Sequence, residues 1–281
     1  MTVTTPAKAR ASQPELDVFF HRLWQQYIEV TPQAAAIARM FAGDTDNLPV
    51  NDHVAFRTTS NSAIAMQHLE PVLAGLGYVA YDQFRFEQKK LNAKAFKHTR
   101  VESAPKIFLS ELQTHELPPA VADVVGYYMA QVTQQAPLTP EIFSQGRLWH
   151  RPTLAEYRLC SAHSEYAAWL LTMGLRANHF TVSVNHLPGK PGLEGVNQRI
   201  KAAGFKLNSV GGETKGGPGL GLQQSATLAD RQPFRFGCGA QEPIPTCFYE
   251  FALRHAHADG QLFDSFIEGN ADKIFDSTNA Y

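Results

Sequence analysis

One repeated order of local patterns limits what this chain can fold into. A strand-like segment, a helix and a run of strand-like segments occur at 52–112 and again at 178–254. In the first copy, NDHVAFRTTS at 51–60 reads as a strand. NSAIAMQHLEPVLAGL at 61–76 has helical spacing, with a kink expected at Pro71 and a cap at Gly77. Residues 78–112 then alternate as strands and end in KIFLSEL. In the second copy NHFTVSVNHL is strand-like and GLEGVNQRIKAAGF is a helix ending at Gly204. The glycine-rich GGETKGGPGLGL, LQQSATLAD and CFYEFALR follow. The pattern predicts an α+β fold built from two βαβββ modules.

Laid on each other, the copies align His53 with His179 at the start of their first strands. PKIFLS (105–110) aligns with PTCFYE (245–250), which sets Ser110 opposite Glu250. The extra length of the second copy is expected in its glycine-rich segment, which reads either as a rim over a pocket or as plain connector. His53, Ala55 and Arg57 share one strand face, and Ser183 stands where the second copy would carry the arginine. Two imidazoles and one carboxylate form the facial triad of non-haem Fe(II) oxygenases. Ser110 then occupies the place of an absent fourth ligand. The chain has 11 histidines, and a histidine on a strand is more often a surface or hydrogen-bonded core residue, so spacing leaves both readings open. Arg254 shares a face with Glu250, where it either binds an anionic substrate or pairs with a neighbouring carboxylate. One of Gln223 and Gln224 faces inward, and Gln223 is assigned as the pocket amide.

Outside the modules, Ser12-Gln13-Pro14-Glu15 is a capping-box pattern for a helix with Leu16, Phe19, Phe20, Leu23, Trp24, Tyr27 and Ile28 on one stripe. Thr31-Pro32 stops it and starts a second helix through about Met40. Helices are expected over 118–134 and 153–173, within a helical insertion at 113–177. Residues 1–12 read as a mobile tail and 255–281 as a C-terminal tail, the whole forming a single compact domain. A net charge of −1 gives no basis for nucleic acid or an anionic membrane as partner, and no apolar run approaches a membrane span. Three widely spaced cysteines without a CxxC motif point to a reducing, cytoplasmic setting with no disulfide or zinc framework.

HVAFRT at 53–58, IFLSEL at 107–112, SEYAAWLL leading to RANHFT at 164–181, LQQSAT at 222–227 and FYEFALR at 248–254 carry a further signal. With GNADKIFDSTN at 269–279, they resemble the 2-oxoadipate dioxygenase/decarboxylase (hydroxyglutarate synthase) family, in order and from about residue 15 onward. The resemblance implies a vicinal-oxygen-chelate fold, in which two modules curl a mixed sheet around one metal. It implies Fe(II) held by His53, His179 and Glu250, with Arg57 contacting substrate. It also implies conversion of a small 2-oxo diacid, 2-oxoadipate, with O₂ to 2-hydroxyglutarate and CO₂, in lysine catabolism. The substrate contacts that longer members contribute late in their chains have no counterpart identifiable here. Two other readings stay open. One is another metal-dependent enzyme of this fold (dioxygenase, lyase or isomerase) acting on a different 2-oxo acid; the other is a non-catalytic protein that binds metal and oxo acid.

Overall fold

The computed structural model describes residues 12–42, 48–132 and 138–278. The tail expected over 1–12 lies outside the described residues except for Ser12. Glu15 reaches back to the Ser12 amide (2.6 Å) and hydroxyl (2.8 Å), opening helix α1 at Gln13–Val30, and α2 follows at Pro32–Ala42. The first module is β1 (Asn51–Thr59), α3 (Met66–Gly75), β2 (Tyr78–Phe86), β3 (Leu91–His98) and β4 (Lys106–Leu112). Helices α4 (Pro119–Met129), α5 (Leu154–His163) and α6 (Glu165–Met173) separate it from the second. That module runs β5 (Ala177–Ser183), α7 (Gly192–Ala202), β6 (Lys215–Gly217), β7 (Leu222–Ala226), β8 (Arg231–Arg235), β9 (Gln241–Pro245) and β10 (Phe248–Arg254). Helix α8 (Glu268–Phe275) comes last.

Eight strands make one sheet in the order β2-β3-β4-β1-β5-β10-β7-β6, while β8 and β9 pair separately as a hairpin. Without that hairpin, each module has its first strand at the centre, then its fourth, third and second outward. The order is a palindrome about the β1–β5 seam. Within each module the first and fourth strands pair in parallel, and the modules meet through the antiparallel β1–β5 pair. Two copies of βαβββ related in this way are the vicinal-oxygen-chelate arrangement. The sheet is strongly curled. Eight flat strands would separate the edges by roughly 34 Å, yet α8, only about 12 Å long, touches both edge strands, β2 and β6.

Strand alternation sorts the residues between the two faces. Val54, Phe56, Phe180, Val182, Tyr249 and Phe251 lie on the convex face and are buried under helices. Trp24 and Tyr27 of α1 pack on Phe180 at 5.2 and 5.0 Å between ring centres, and Phe41 of α2 packs on Phe251 at 5.9 Å. The Tyr27 hydroxyl donates to the Phe248 carbonyl, tying α1 to the strand that carries Glu250. The concave face presents His53, Ala55 and Arg57 beside His179, Thr181 and Glu250.

Three expectations need correction. The extra length of the second module is the β8–β9 hairpin, which packs Phe236 on Tyr157 (5.3 Å), and not the glycine-rich run. That run forms edge strand β6. At Gly216 (φ +78°) a Cβ would meet the Leu222 carbonyl oxygen at 2.2 Å and the Asn270 amide at 2.5 Å, so glycine lets α8 close against the edge. The helix expected over 153–173 is two helices. Ser164 is extended (φ −156°, ψ 100°), and its hydroxyl accepts from the Ala167 amide to start α6. Finally, Ser110 is not the counterpart of Glu250. Glu250 pairs with Thr181, two residues after His179, whereas the residue paired two after His53 is Phe108. The true equivalence of the two modules sets Phe108, two residues earlier on β4, opposite Glu250.

Replacing Tyr27 by Phe removes the hydrogen bond to Phe248 while keeping the ring. The expected loss is about 0.5–1.5 kcal/mol of stability, read from the shift of the urea unfolding midpoint at unchanged m-value.

Candidate metal centre

At the seam, one nitrogen from each of His53 and His179 and one oxygen of Glu250 lie within 4.8 Å of one another, and all three residues are buried. The three could hold a metal ion. His179 Nε2 stands 3.0 Å from Glu250 Oε2, and His53 Nε2 stands 3.6 Å from Glu250 Oε1. The histidines come from the antiparallel pair β1 and β5, and the glutamate from β10 beside β5. Neither module supplies the triad alone.

Each of these side chains has its own holder. His53 Nδ1 faces Asp52 Oδ1 at 2.8 Å, and His179 Nδ1 faces Asn178 Oδ1 at 3.1 Å. Both partners are acceptors, so the ring protons sit on Nδ1; the Nε2 lone pair of His53 then accepts from the Thr181 hydroxyl (3.0 Å), and that of His179 faces Glu250. Glu250 Oε1 accepts from Gln224 (2.7 Å), whose own carbonyl accepts from Asn270 of α8 (3.1 Å). Glu250 Oε2 is buried without a hydrogen-bond partner among the described residues. A lone pair of His179 and a carboxylate oxygen 3.0 Å apart repel each other unless a cation lies near both. Orphaned oxygen, converging lone pairs and a nitrogen–oxygen donor set together fit a divalent metal.

Burial opposes ionisation of Glu250, but positive charge on His53 and His179 in their protonated forms outweighs it and holds the carboxyl below its usual range, so the carboxylate is charged beside any cation the site receives. Burial pushes the His179 imidazole down, against the pull of Glu250, and so favours the neutral, ligating form. Asp52 lies well below the ordinary carboxylate range, because the Arg254 guanidinium and the His53 hydrogen bond overcome its burial.

Aromatic rings wall the site. Phe248 stacks on His179 at 4.5 Å, Phe266 meets His53 edge-on at 4.8 Å, and Phe108 packs on Phe266 at 5.1 Å. The position equivalent to Glu250 in the first module is therefore apolar. Ser110 lies further along β4, where its hydroxyl donates to the Phe56 carbonyl (3.1 Å) and lies 3.0 Å from the Tyr166 hydroxyl.

The two arginines differ in their surroundings. Arg57 is buried, with Nη1 on Glu165 (3.0 Å), Nη2 on the Thr278 hydroxyl (2.9 Å), and the rings of Tyr166 and Trp169 within 5.0 Å of its guanidinium carbon. The break at Ser164 aims Glu165 and Tyr166 at this group. Arg57 Nε is buried without a partner among the described residues. Arg254 is fully engaged: Nε and Nη2 bind the Asp52 carboxylate at 2.6 and 2.9 Å, and Nη1 donates to the Phe263 and Ser265 carbonyls. Of the two roles open to it in the sequence, the structure gives it the carboxylate pair, and its assignment to substrate is corrected to that pair: each of its three nitrogens already donates within the protein.

Gln223 is likewise corrected. It pairs with Leu253 on the opposite face from Glu250 and its side chain meets His255 (2.9 Å), whereas Gln224 pairs with Ala252 on the face of Glu250. Sequence reasoning also missed Asp52, Asn178, Glu165 and Phe248. The signal for the first two was an Asx residue directly before each histidine.

The family model of 2-oxoadipate dioxygenase/decarboxylase matches residues 19–264. A chloroplastic/amyloplastic 2-oxoadipate dioxygenase/decarboxylase of Oryza sativa subsp. japonica is 32% identical over 98% of this chain and 82% of its own length. The crystal structure of hydroxyglutarate synthase from Oryza sativa in complex with 2-oxoadipate superimposes with a TM-score of 0.88 at 31% identity, over 99% of this chain and 97% of that one. A Shewanella frigidimarina NCIMB 400 protein, described provisionally as a hydrolase, superimposes with a TM-score of 0.84 at 41% identity, over 92% and 100% of the two chains. The matched span takes in both modules and every residue of the triad, and the chain belongs to the 2-oxoadipate dioxygenase/decarboxylase family.

Proposed function

We propose that this protein is an Fe(II)-dependent enzyme that converts 2-oxoadipate and O₂ to 2-hydroxyglutarate and CO₂. The observation that carries the reading is the buried cluster of two imidazole nitrogens and one carboxylate oxygen, in a chain of this family. The ligands are His53, His179 and Glu250. Two nitrogens and one oxygen on one side suit Fe(II) and leave positions open for a chelating oxo acid and for O₂. When bound, the metal supplies Lewis acidity and the electrons that reduce O₂.

The chain's own groups do the rest. Asp52 and Asn178 keep the ring protons on Nδ1, away from the reacting side. Phe248, Phe266 and Phe108 keep water from the site, which strengthens the electrostatic interactions within it. Arg57 binds a substrate carboxylate. Its unpartnered Nε supports that role, because a buried donor left unpaired is costly and an incoming carboxylate would satisfy it. A cavity of about 190 Å³ lined by Lys89, Lys90, Glu165, Tyr166 and Phe275 leads towards the groups that hold Arg57. The three cysteines are free, in keeping with a cytoplasmic enzyme that degrades an intermediate of lysine catabolism.

Anaerobic loading with Fe(II), followed by oxygen-electrode assays over a series of 2-oxo diacids, tests the activity. The expected result is O₂ uptake fastest with 2-oxoadipate, with one CO₂ released per O₂ consumed. Hydrolysis would release product without O₂ uptake, and a binding protein would take up neither. His179→Ala is expected to lose stoichiometric iron and turnover together; retained iron refutes the ligand set. Arg57→Lys keeps the charge but not the fork, and is expected to retain iron while kcat/KM falls about 10–100-fold. Gln224→Ala frees Glu250 Oε1 and is expected to weaken metal binding about tenfold by competition with a chelating dye, with Gln223→Ala unchanged.

A further inference from the structure

The β1–β5 seam has two breaks in register. Asn51 pairs with Val182 and His53 with Thr181, which leaves Asp52 as an extra residue. Ala55 pairs with His179 and Phe56 with Ala177, which leaves Asn178 as an extra residue on the other strand. These are β-bulges, one on each strand, each directly before a triad histidine. In a regular strand Asp52 and His53 would point to opposite faces, as would Asn178 and His179. The bulges instead turn each Asx side chain back onto the Nδ1 of the ring that follows it.

We propose that the paired bulges are built-in holders for the two metal-binding imidazoles, and that their unlike chemistry makes the histidines unequal donors. The inference rests on the metal reading above. Asp52 backs His53 with a carboxylate, which draws its Nδ1 proton and strengthens Nε2 as a donor. Asn178 backs His179 with a neutral amide, which fixes the ring but adds no charge. Asp52 cannot turn inward and become a ligand itself. Its Oδ2 is held by Arg254 Nε, and its Oδ1 is shared by Arg254 Nη2 and His53. Arg254 lies four residues after Glu250 on β10, so the same pair ties the first module's ligand to the strand bearing the second module's carboxylate. Asp52, Asn178 and Arg254 are positioning residues, with no contact to the reacting atoms.

The test uses Co(II), whose visible bands report ligand strength, bound anaerobically to the full chain and titrated against a chelator. Asp52→Asn alone strands a buried guanidinium, so Asp52→Asn is combined with Arg254→Met to remove the whole pair. The double variant is expected to bind Co(II) about 10–100-fold more weakly than the unmodified protein, with shifted bands, while urea unfolding of the metal-free protein reports folding separately. Asn178→Asp, which touches no ion pair, is expected to bind Co(II) more tightly, and Asn178→Ala more weakly but by less than the double variant. Unchanged affinity and bands in a folded double variant overturn the proposal. Should that variant not fold, Asn178→Asp decides alone, and affinity at or below that of the unmodified protein overturns it. Failure of the unmodified protein to bind Co(II) or Fe(II) overturns the metal reading instead.

Discussion

Among the described strands, β1 and β5 are the one place where the two modules exchange backbone hydrogen bonds. An antiparallel pair brings residues near the start of one strand close to residues near the start of the other only when their overlap is set correctly. Here the overlap sets His53 beside Thr181 and Ala55 beside His179, so the two imidazoles stand two rungs apart on one face, with ring centres 5.7 Å apart. A slip of one residue would send either ring to the convex face, among Phe56, Phe180 and Val182. Burial of those apolar side chains, Phe180 under α1 and Phe56 against Phe143, thus fixes the register on which the polar face depends.

The pairing of His53 with His179 was legible because repetition and strand alternation bore on both, whereas Glu250 came to the same cluster through the short motifs of the family likeness and not through the repeat. The finer placements were not legible. Choosing Gln224 over Gln223 needs the pairing of β7 with β10, a contact between segments that sequence period alone does not phase. Setting Phe108 opposite Glu250 needs the parallel register within each module, and the two prolines at 105 and 245 suggested a different one. The hairpin at β8–β9 hid because its strands are short and broken by Pro233, Pro243 and Pro245. Ser164 looked like a mid-helix serine, and only its extended backbone reveals a second N-cap.

Arg57 and Arg254 read alike in the sequence, each four residues after a triad residue on its strand. Their surroundings divide them. Arg254 meets a buried carboxylate with both arms and two carbonyls with the remaining nitrogen, so its charge is spent within the protein. Arg57 meets one carboxylate, a hydroxyl, the Phe275 carbonyl and flat aromatic faces, and among the described residues its Nε has no partner.

The closing helix has a consequence for the order in which the molecule can be assembled. Asn270 braces Gln224, which braces Glu250, and Phe275 and Thr278 cap Arg57, so the last few residues of the described chain complete a centre whose other parts begin at Asp52. A growing polypeptide has both imidazoles long before it has that brace. Until α8 docks across the two edge strands, the trough is open on the side where it later seals. The carboxylate of Glu250 and the guanidinium of Arg57 therefore take their final hydrogen bonds only when the closing helix arrives, and the last segment to be made is the one that finishes the polar face.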